Sequence, residues 1–146
     1  MVAQNRRAFR DYFVEDRVEA GIVLVGSEVK SLRDGKIQLS DSYALIENGE
    51  VFLENCHIAE FRNAGPHFNH EPVRRRKLLL HAAEINRLYI KVEQRGRTLI
   101  PLKVYFKHGK VKVEIGVCTG KRKYDKREDI KRRDEDRLAE RDFKNY

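Results

Sequence analysis

Val111, Val113, Ile115 and Val117 alternate with Lys112, Glu114 and Gly116, the period of two of a half-buried strand with one wet face. Thr98 to Phe106 precedes this run, and Lys107-His108-Gly109-Lys110 joins the two as a hairpin. A second hairpin is predicted from Tyr43-Ala44-Leu45-Ile46 and Val51-Phe52-Leu53. Between them Asn48-Gly49 suits a type I′ turn, which requires positive φ at both central positions. Ala8 to Val14, Gly21 to Val25 and Cys56 to Phe61 read as further short strands, the second rich in β-branched residues as a buried strand prefers. The rhythm changes over Ser27 to Arg33, where Ser27 can cap and Asp34-Gly35 can stop a helix of roughly two turns. A longer helix is predicted where Ile85, Leu88, Tyr89 and Val92 fall at i, i+3, i+4 and i+7, ending at Gly96. Pro66, Pro72 and Gly65 keep residues 62–73 in a loop. The expected fold is therefore mainly β: a small antiparallel, OB-fold-like barrel of about six strands with two to three helices. A ferredoxin-like sheet is the alternative, but it wants two helices of similar length.

Composition divides the chain after Gly120. Residues 121–146 hold 11 Lys/Arg and 8 Asp/Glu, without a Gly or a Pro. The expected division is a body over 1–120 and a basic tail over 121–146. In the tail Glu128 with Arg132, Asp129 with Arg133, and Glu140 with Lys144 are i,i+4 pairs with the acid N-terminal, each worth ~0.2–0.5 kcal/mol to a helix. Its apolar residues are sparse, so such a helix is marginal alone in water. The tail is expected to be disordered or frayed when free and helical against a polyanion; a solvent-exposed charged helix without a partner is the alternative.

The net charge of +8 is the footprint of a polyanion binder. No run of about 18 apolar residues is present for a membrane span, and Met1 to Arg7 lacks the apolar segment of a secretory signal. Cys56 and Cys118, far apart, fit two small buried side chains in a reducing cytoplasm. Basic residues interleave with aromatics at Arg6-Arg7-Ala8-Phe9-Arg10, Lys103-Val104-Tyr105-Phe106-Lys107 and Lys121-Arg122-Lys123-Tyr124, and Arg74-Arg75-Arg76-Lys77 adds a fourth cationic run. Cations neutralise phosphates while rings stack on unpaired bases, a combination that suits RNA better than a membrane. Nucleophile-elbow, zinc-protease, P-loop and dinucleotide-binding motifs are all missing. His67 and His70 lie three apart in a loop with no third ligand nearby, and nothing brings Asp41 and Glu19 together as a nuclease pair. Neither an enzyme nor a metal or cofactor site is expected.

Seven segments together resemble one known family. They are Glu19-Ala20-Gly21-Ile22, Glu28-Val29-Lys30-Ser31-Leu32-Arg33, Asp41-Ser42-Tyr43-Ala44, Arg76-Lys77-Leu78-Leu79-Leu80, Pro101-Leu102-Lys103-Val104-Tyr105-Phe106, Lys112-Val113-Glu114-Ile115-Gly116 and Gly120-Lys121-Arg122-Lys123-Tyr124-Asp125-Lys126-Arg127. The chain is similar to the SmpB family, the SsrA-binding small protein B that partners transfer-messenger RNA (tmRNA) in bacteria, from about Asn5 to Lys144. The resemblance implies an OB-fold monomer that binds the tRNA-like domain of alanyl-tmRNA and enters stalled ribosomes in trans-translation. It places tmRNA-binding residues at Glu19, Leu79 and Lys112, and Lys30, Arg33 and Arg76, cations of the matching segments, are expected to bind tmRNA with them. Lys112 can meet a phosphate. Leu79 either packs on a base or fills the core, and Glu19 either accepts hydrogen bonds from base or sugar or orients a neighbouring cation. The resemblance also implies a tail that lies in the empty mRNA channel, with Gly120, Lys121, Arg122, Tyr124, Asp125, Lys126 and Arg127 near the small-subunit decoding centre. One departure is Arg97, where the family more often carries an aromatic.

Overall fold

The computed structural model describes residues 1–62 and 69–120. The expectations for residues 121–146, and those for His67 and most of the loop around it, lie outside the described residues. The elements in chain order are β1 (Ala3–Gln4), α1 (Arg6–Asp11), β2 (Tyr12–Ile22), α2 (Gly26–Arg33), β3 (Ile37–Gln38), β4 (Tyr43–Glu47), β5 (Glu50–Glu54), β6 (His57–Ile58), β7 (Arg76–Leu79), α3 (Ala82–Arg95), β8 (Thr98–Lys107) and β9 (Lys110–Gly120). Six strands close on themselves in the order β8-β4-β5-β7-β2-β9, because β9 pairs with both β2 and β8; β1 attaches to β8, and β3 pairs with β6 as a separate ribbon. The mainly β, OB-like expectation is met by this ring of antiparallel strands.

Both predicted hairpins form. Asn48 and Gly49 have φ of 53° and 77°, and His108 and Gly109 repeat the arrangement at 52° and 78°. Gly96 ends α3 in the left-handed region at φ 65°, its N–H donating to the Val92 carbonyl. Ser27 does not cap α2. Val25 occupies the cap position, and Glu28 Oε1 accepts from its N–H at 2.9 Å. Ser27 is instead buried against His70.

Three strand expectations change. Ala8 to Asp11 belongs to α1, since Asn5 caps that turn: its Oδ1 accepts from the Ala8 N–H at 3.0 Å. The Asn5 Nδ2 also donates to the carbonyls of Leu39 and Pro101, tying the helix to the sheet. Gly21-Ile22 is only the end of the long strand β2, after which the Val23 N–H makes one more bond to β7, donating to the Lys77 carbonyl at 3.0 Å. Cys56 to Phe61 contributes just the two residues of β6.

Val18, Ala20, Val51, Leu53, Leu78, Val113, Ile115 and Val117 fill the ring, closed by Leu32 of α2 and Leu88 of α3. Of the helix stripe, Ile85 and Val92 pack against this core, whereas Tyr89 is exposed. A second cluster of Ala8, Ile100, Leu102 and Cys118 lies under α1. It corrects the reading of β9: Gly116 is buried rather than wet, because the Leu102 side chain rests on it where a Cβ would come within 2.7 Å. The two cysteines are free and buried, as expected, and burial pushes each thiol up to about 12.

Candidate nucleic-acid interface

Strand alternation determines which residues β2, β9 and β8 present outward. Val18 and Ala20 point into the core, so Glu19 and Gly21 face out; on β9, Val113 and Ile115 point inward and leave Lys112 and Glu114 on the other side. Gly21 is paired across one edge with Leu79 of β7 and across the other with Lys112 of β9. These residues line a groove of about 730 Å³, whose far wall is made by Leu24, Val29 and the start of α3 at His81 and Glu84. Gly21 lines the groove without a side chain of its own, and a Cβ there would lie at ordinary contact distance, 3.4 Å, from Leu79 Cβ.

The structure thus brings together Glu19, Leu79 and Lys112, three residues from three strands that span 94 positions of sequence. Leu79 is 51% exposed, which removes the core alternative and leaves an apolar wall open to a ligand. Lys112 is half-buried on the same surface. Glu19 is held by its neighbours on β8: Tyr105 Oη donates to Oε2 at 2.5 Å, and Lys107 Nζ lies 3.4 Å from both carboxylate oxygens. The Tyr105 hydrogen bond, aided by Lys107 and Lys112, outweighs desolvation and holds the Glu19 carboxyl below its ordinary range. Burial, and then Glu19 itself, push the Tyr105 phenol up, so it remains a donor at neutral pH. The surface therefore offers a cation, an apolar wall, a glycine floor and an ionised acceptor. That set can take a phosphate, a flat ring and a hydrogen-bond donor at once.

The cationic run Arg74 to Lys77, which leads into β7, has a different role from the one its sequence suggests. Arg76 is fully buried and cannot reach RNA. Its guanidinium lies 2.7 Å from Glu28 Oε2 and donates to the carbonyls of Cys56, Arg74 and Pro72. Arg74 grips the same carboxylate at 2.7 and 2.9 Å, Arg75 stacks over Phe52 while paired with Glu47 and Glu54, and Lys77 pairs with Glu50. All four cations of the run thus have acidic partners within the chain. Desolvation raises the Glu28 carboxyl, but the Arg74 hydrogen bonds, the Val25 N–H and the Arg76 charge outweigh it and leave the group below its ordinary range.

Lys30 and Arg33 are exposed on α2 but do not line the groove; Lys30 sits 5.6 Å over the Phe61 ring. Gly120 is the last described residue, paired with Tyr12 at the end of β9. Both ring nitrogens of His70 are engaged, by Ser27 Oγ and the Ile58 carbonyl at 2.8 Å, which makes it a structural histidine. Among the described residues no cluster of three His, Cys, Asp or Glu is placed to hold a metal, and no helix is long and apolar enough to cross a membrane. Sequence reasoning missed Gly21 as part of the groove because a glycine opening a β-branched run carries no chemistry of its own. Tyr105 was visible only as one ring in a basic cluster.

Comparison with known proteins places this surface in context. The family described as "SmpB protein" matches residues 2–145. An "SsrA-binding protein" of Desulfitobacterium hafniense is 54% identical over 144 residues, which is 99% of this chain and 92% of that one. Another, of Acetivibrio thermocellus, is 57% identical with 99% and 93% covered, and one of Symbiobacterium thermophilum is 60% identical over 134 residues, 91% of this chain and 84% of its own. A solved chain from work described as "tmRNA-SmpB: a journey to the center of the bacterial ribosome" superposes with a TM-score of 0.69 at 50% identity, over 81% of this chain and 82% of that one.

Proposed function

The chain belongs to the SmpB family, and on that footing we propose that it is the tmRNA-binding protein of trans-translation, an RNA adaptor and not an enzyme. It binds the tRNA-like domain of alanyl-tmRNA and carries it to ribosomes stalled without a codon in the A site. The observation that carries the reading is the convergence of Glu19, Leu79 and Lys112 on one open groove with Gly21 between the latter two. Lys112 and the neighbouring Lys110 neutralise backbone phosphates, while Leu79 packs on the face of an unstacked base. The groove is too shallow in cationic charge to act by electrostatics alone, since Glu19 and Glu84 line it with the two lysines. Affinity accordingly requires shape and hydrogen bonding, as expected for a folded RNA rather than for any polyanion.

The body over 1–120 and the tail over 121–146 divide the work. Lys30 and Arg33 extend the cationic surface along α2, outside the groove. Gly120, Lys121, Arg122, Tyr124, Asp125, Lys126 and Arg127 lie at the small-subunit decoding centre, and the remaining tail occupies the vacant mRNA channel, where its i,i+4 pairs support a helix. An adaptor that works on the ribosome acts in the cytoplasm, and we propose that it does so as a monomer bound to RNA.

Deletion of residues 121–146 tests the division. The shortened protein should bind the tRNA-like domain as the full chain does while tagging of nascent peptides on stalled ribosomes is lost. Loss of RNA affinity on truncation would refute it. Purification of the full chain from cells should enrich one small stable RNA and release the protein from ribosomes in salt. Retention on every ribosomal subunit would mark a structural ribosomal protein instead.

A further inference from the structure

Resting on the reading of the groove as an RNA site, we propose that Tyr105 is a positioning residue that sets what the groove accepts. It fixes the Glu19 carboxylate as a hydrogen-bond acceptor for an N–H or O–H donor of an unstacked nucleotide. An acid in a site for a polyanion is otherwise a liability, because a free carboxylate repels phosphate and swings to whichever cation is nearest. Here its freedom is removed. Tyr105 Oη holds Oε2 at 2.5 Å, from a strand that does not pair with β2, across the intervening strand β9. The Lys107 contact at 3.4 Å is exposed on both sides and adds little. Among the described residues Glu19 Oε1 has only that weak contact as a hydrogen bond, beside the glycine and the lysine of the same groove.

A fixed acceptor discriminates in both directions. It rewards a cytosine or guanine amino group, an imino group or a ribose 2′-hydroxyl placed against it, and it penalises a phosphate oxygen or a carbonyl in the same place. Lys112, on the neighbouring strand, then takes the phosphate that Glu19 refuses. Tyr105 acts through Glu19 and need not touch RNA itself. The ring of Tyr105 is half-buried on β8, so Tyr105→Phe keeps the packing and removes only the donor.

The test uses the full-length protein and a transcript of the tRNA-like domain of tmRNA. Tyr105→Phe should weaken binding roughly ten-fold, the scale of one hydrogen bond to a charged group, with unchanged unfolding midpoint and unchanged dependence of affinity on salt. Repeated in a Glu19→Gln background, the same substitution should cost less than about two-fold, since the acceptor it positions is already altered. A role in packing alone would cost the same in both backgrounds, and that result overturns the inference, as does wild-type affinity for Tyr105→Phe. Transcripts carrying single inosine-for-guanosine or single 2′-deoxy substitutions separate a base donor from a sugar donor. At the nucleotide that meets Glu19 the Tyr105→Phe penalty should vanish when the donor is a guanine amino group or a 2′-hydroxyl, and transcripts with single base-pair-preserving replacements of each remaining cytosine and imino donor complete the set; a penalty that persists on every transcript of the full set also overturns the inference. Failure of the wild-type protein to bind the transcript at all would remove the reading of the groove, which the binding of wild-type protein keeps separate from the fate of Tyr105.

Discussion

Replacing Arg76 by Ala separates a buried structural cation from an RNA contact. In the folded chain the Arg76 side chain is wholly buried, lies 2.7 Å from Glu28 Oε2 and donates to three carbonyls at 2.8 to 3.1 Å. Truncation leaves Glu28 buried with one guanidinium instead of two, and leaves the carbonyls of Cys56, Arg74 and Pro72 short of a donor. Removing one partner of a buried ion pair generally costs ~3–5 kcal/mol. Arg74 still holds Glu28 at 2.7 and 2.9 Å, which moves the expectation to the lower end, about 3 kcal/mol. For a domain whose total stability is ~5–15 kcal/mol that is a large fraction. In urea, with a slope of ~1–3 kcal/mol per molar, the midpoint should fall by at least about 1 M. The Arg76→Ala protein that remains folded should bind RNA as the wild type does once the folded fraction is counted. An unchanged urea midpoint together with lost RNA affinity would refute the reasoning and return Arg76 to the interface.

Other outcomes follow from the same geometry. The Glu28 carboxyl lies below its ordinary value of 4.5 in the folded state, so its contribution is complete above that value and is lost as pH falls through the lower folded one; a pH series of unfolding midpoints should show this acid-labile component in the wild type and not in Glu28→Gln. Gly116→Ala drives a Cβ to 2.7 Å from Leu102 Cδ1, inside a side chain with no exposed surface, and should lower stability by ~1–3 kcal/mol in chemical denaturation, whereas Gly120→Ala, with nothing within 4 Å, should change it by less than about 0.5 kcal/mol. Cys56 and Cys118, buried with thiols near 12, should resist maleimide at pH 7 in the folded protein and both react in denaturant. Leu79→Ala removes a half-exposed side chain and should leave the unfolding midpoint within about 0.5 kcal/mol of wild type while weakening binding to the tRNA-like domain.

The sequence carried the hairpins and helices α2 and α3 well because their signals are local: Asn48-Gly49, the alternation from Val111 onward, and Gly96 after an apolar stripe. Helix α1 was hidden because Ala8, Phe9, Tyr12, Phe13 and Val14 form an apolar run that suits a strand equally well. Only the tertiary bonds of the Asn5 side chain to Leu39 and Pro101 decide the matter. The pairing of Arg74 to Lys77 with acids was equally out of reach, since Glu28 lies 48 residues from Arg76 and Glu47 lies 28 from Arg75. Family resemblance supplied Glu19, Leu79 and Lys112. The ring of strands explains why residues so far apart share one surface, and why Tyr105 belongs with them.

The groove's central role is tested most directly by chemical footprinting of the tRNA-like domain of tmRNA with full-length wild-type protein and with Lys112→Ala at matched occupancy. Lys112 contacts a phosphate in this account, so the variant should bind more weakly, lose about one unit of salt dependence and lose protection at one short set of adjacent nucleotides, with the rest of the footprint retained. Identical footprints and identical salt dependence for the two proteins would contradict it, and would move the RNA to another face of the strand ring.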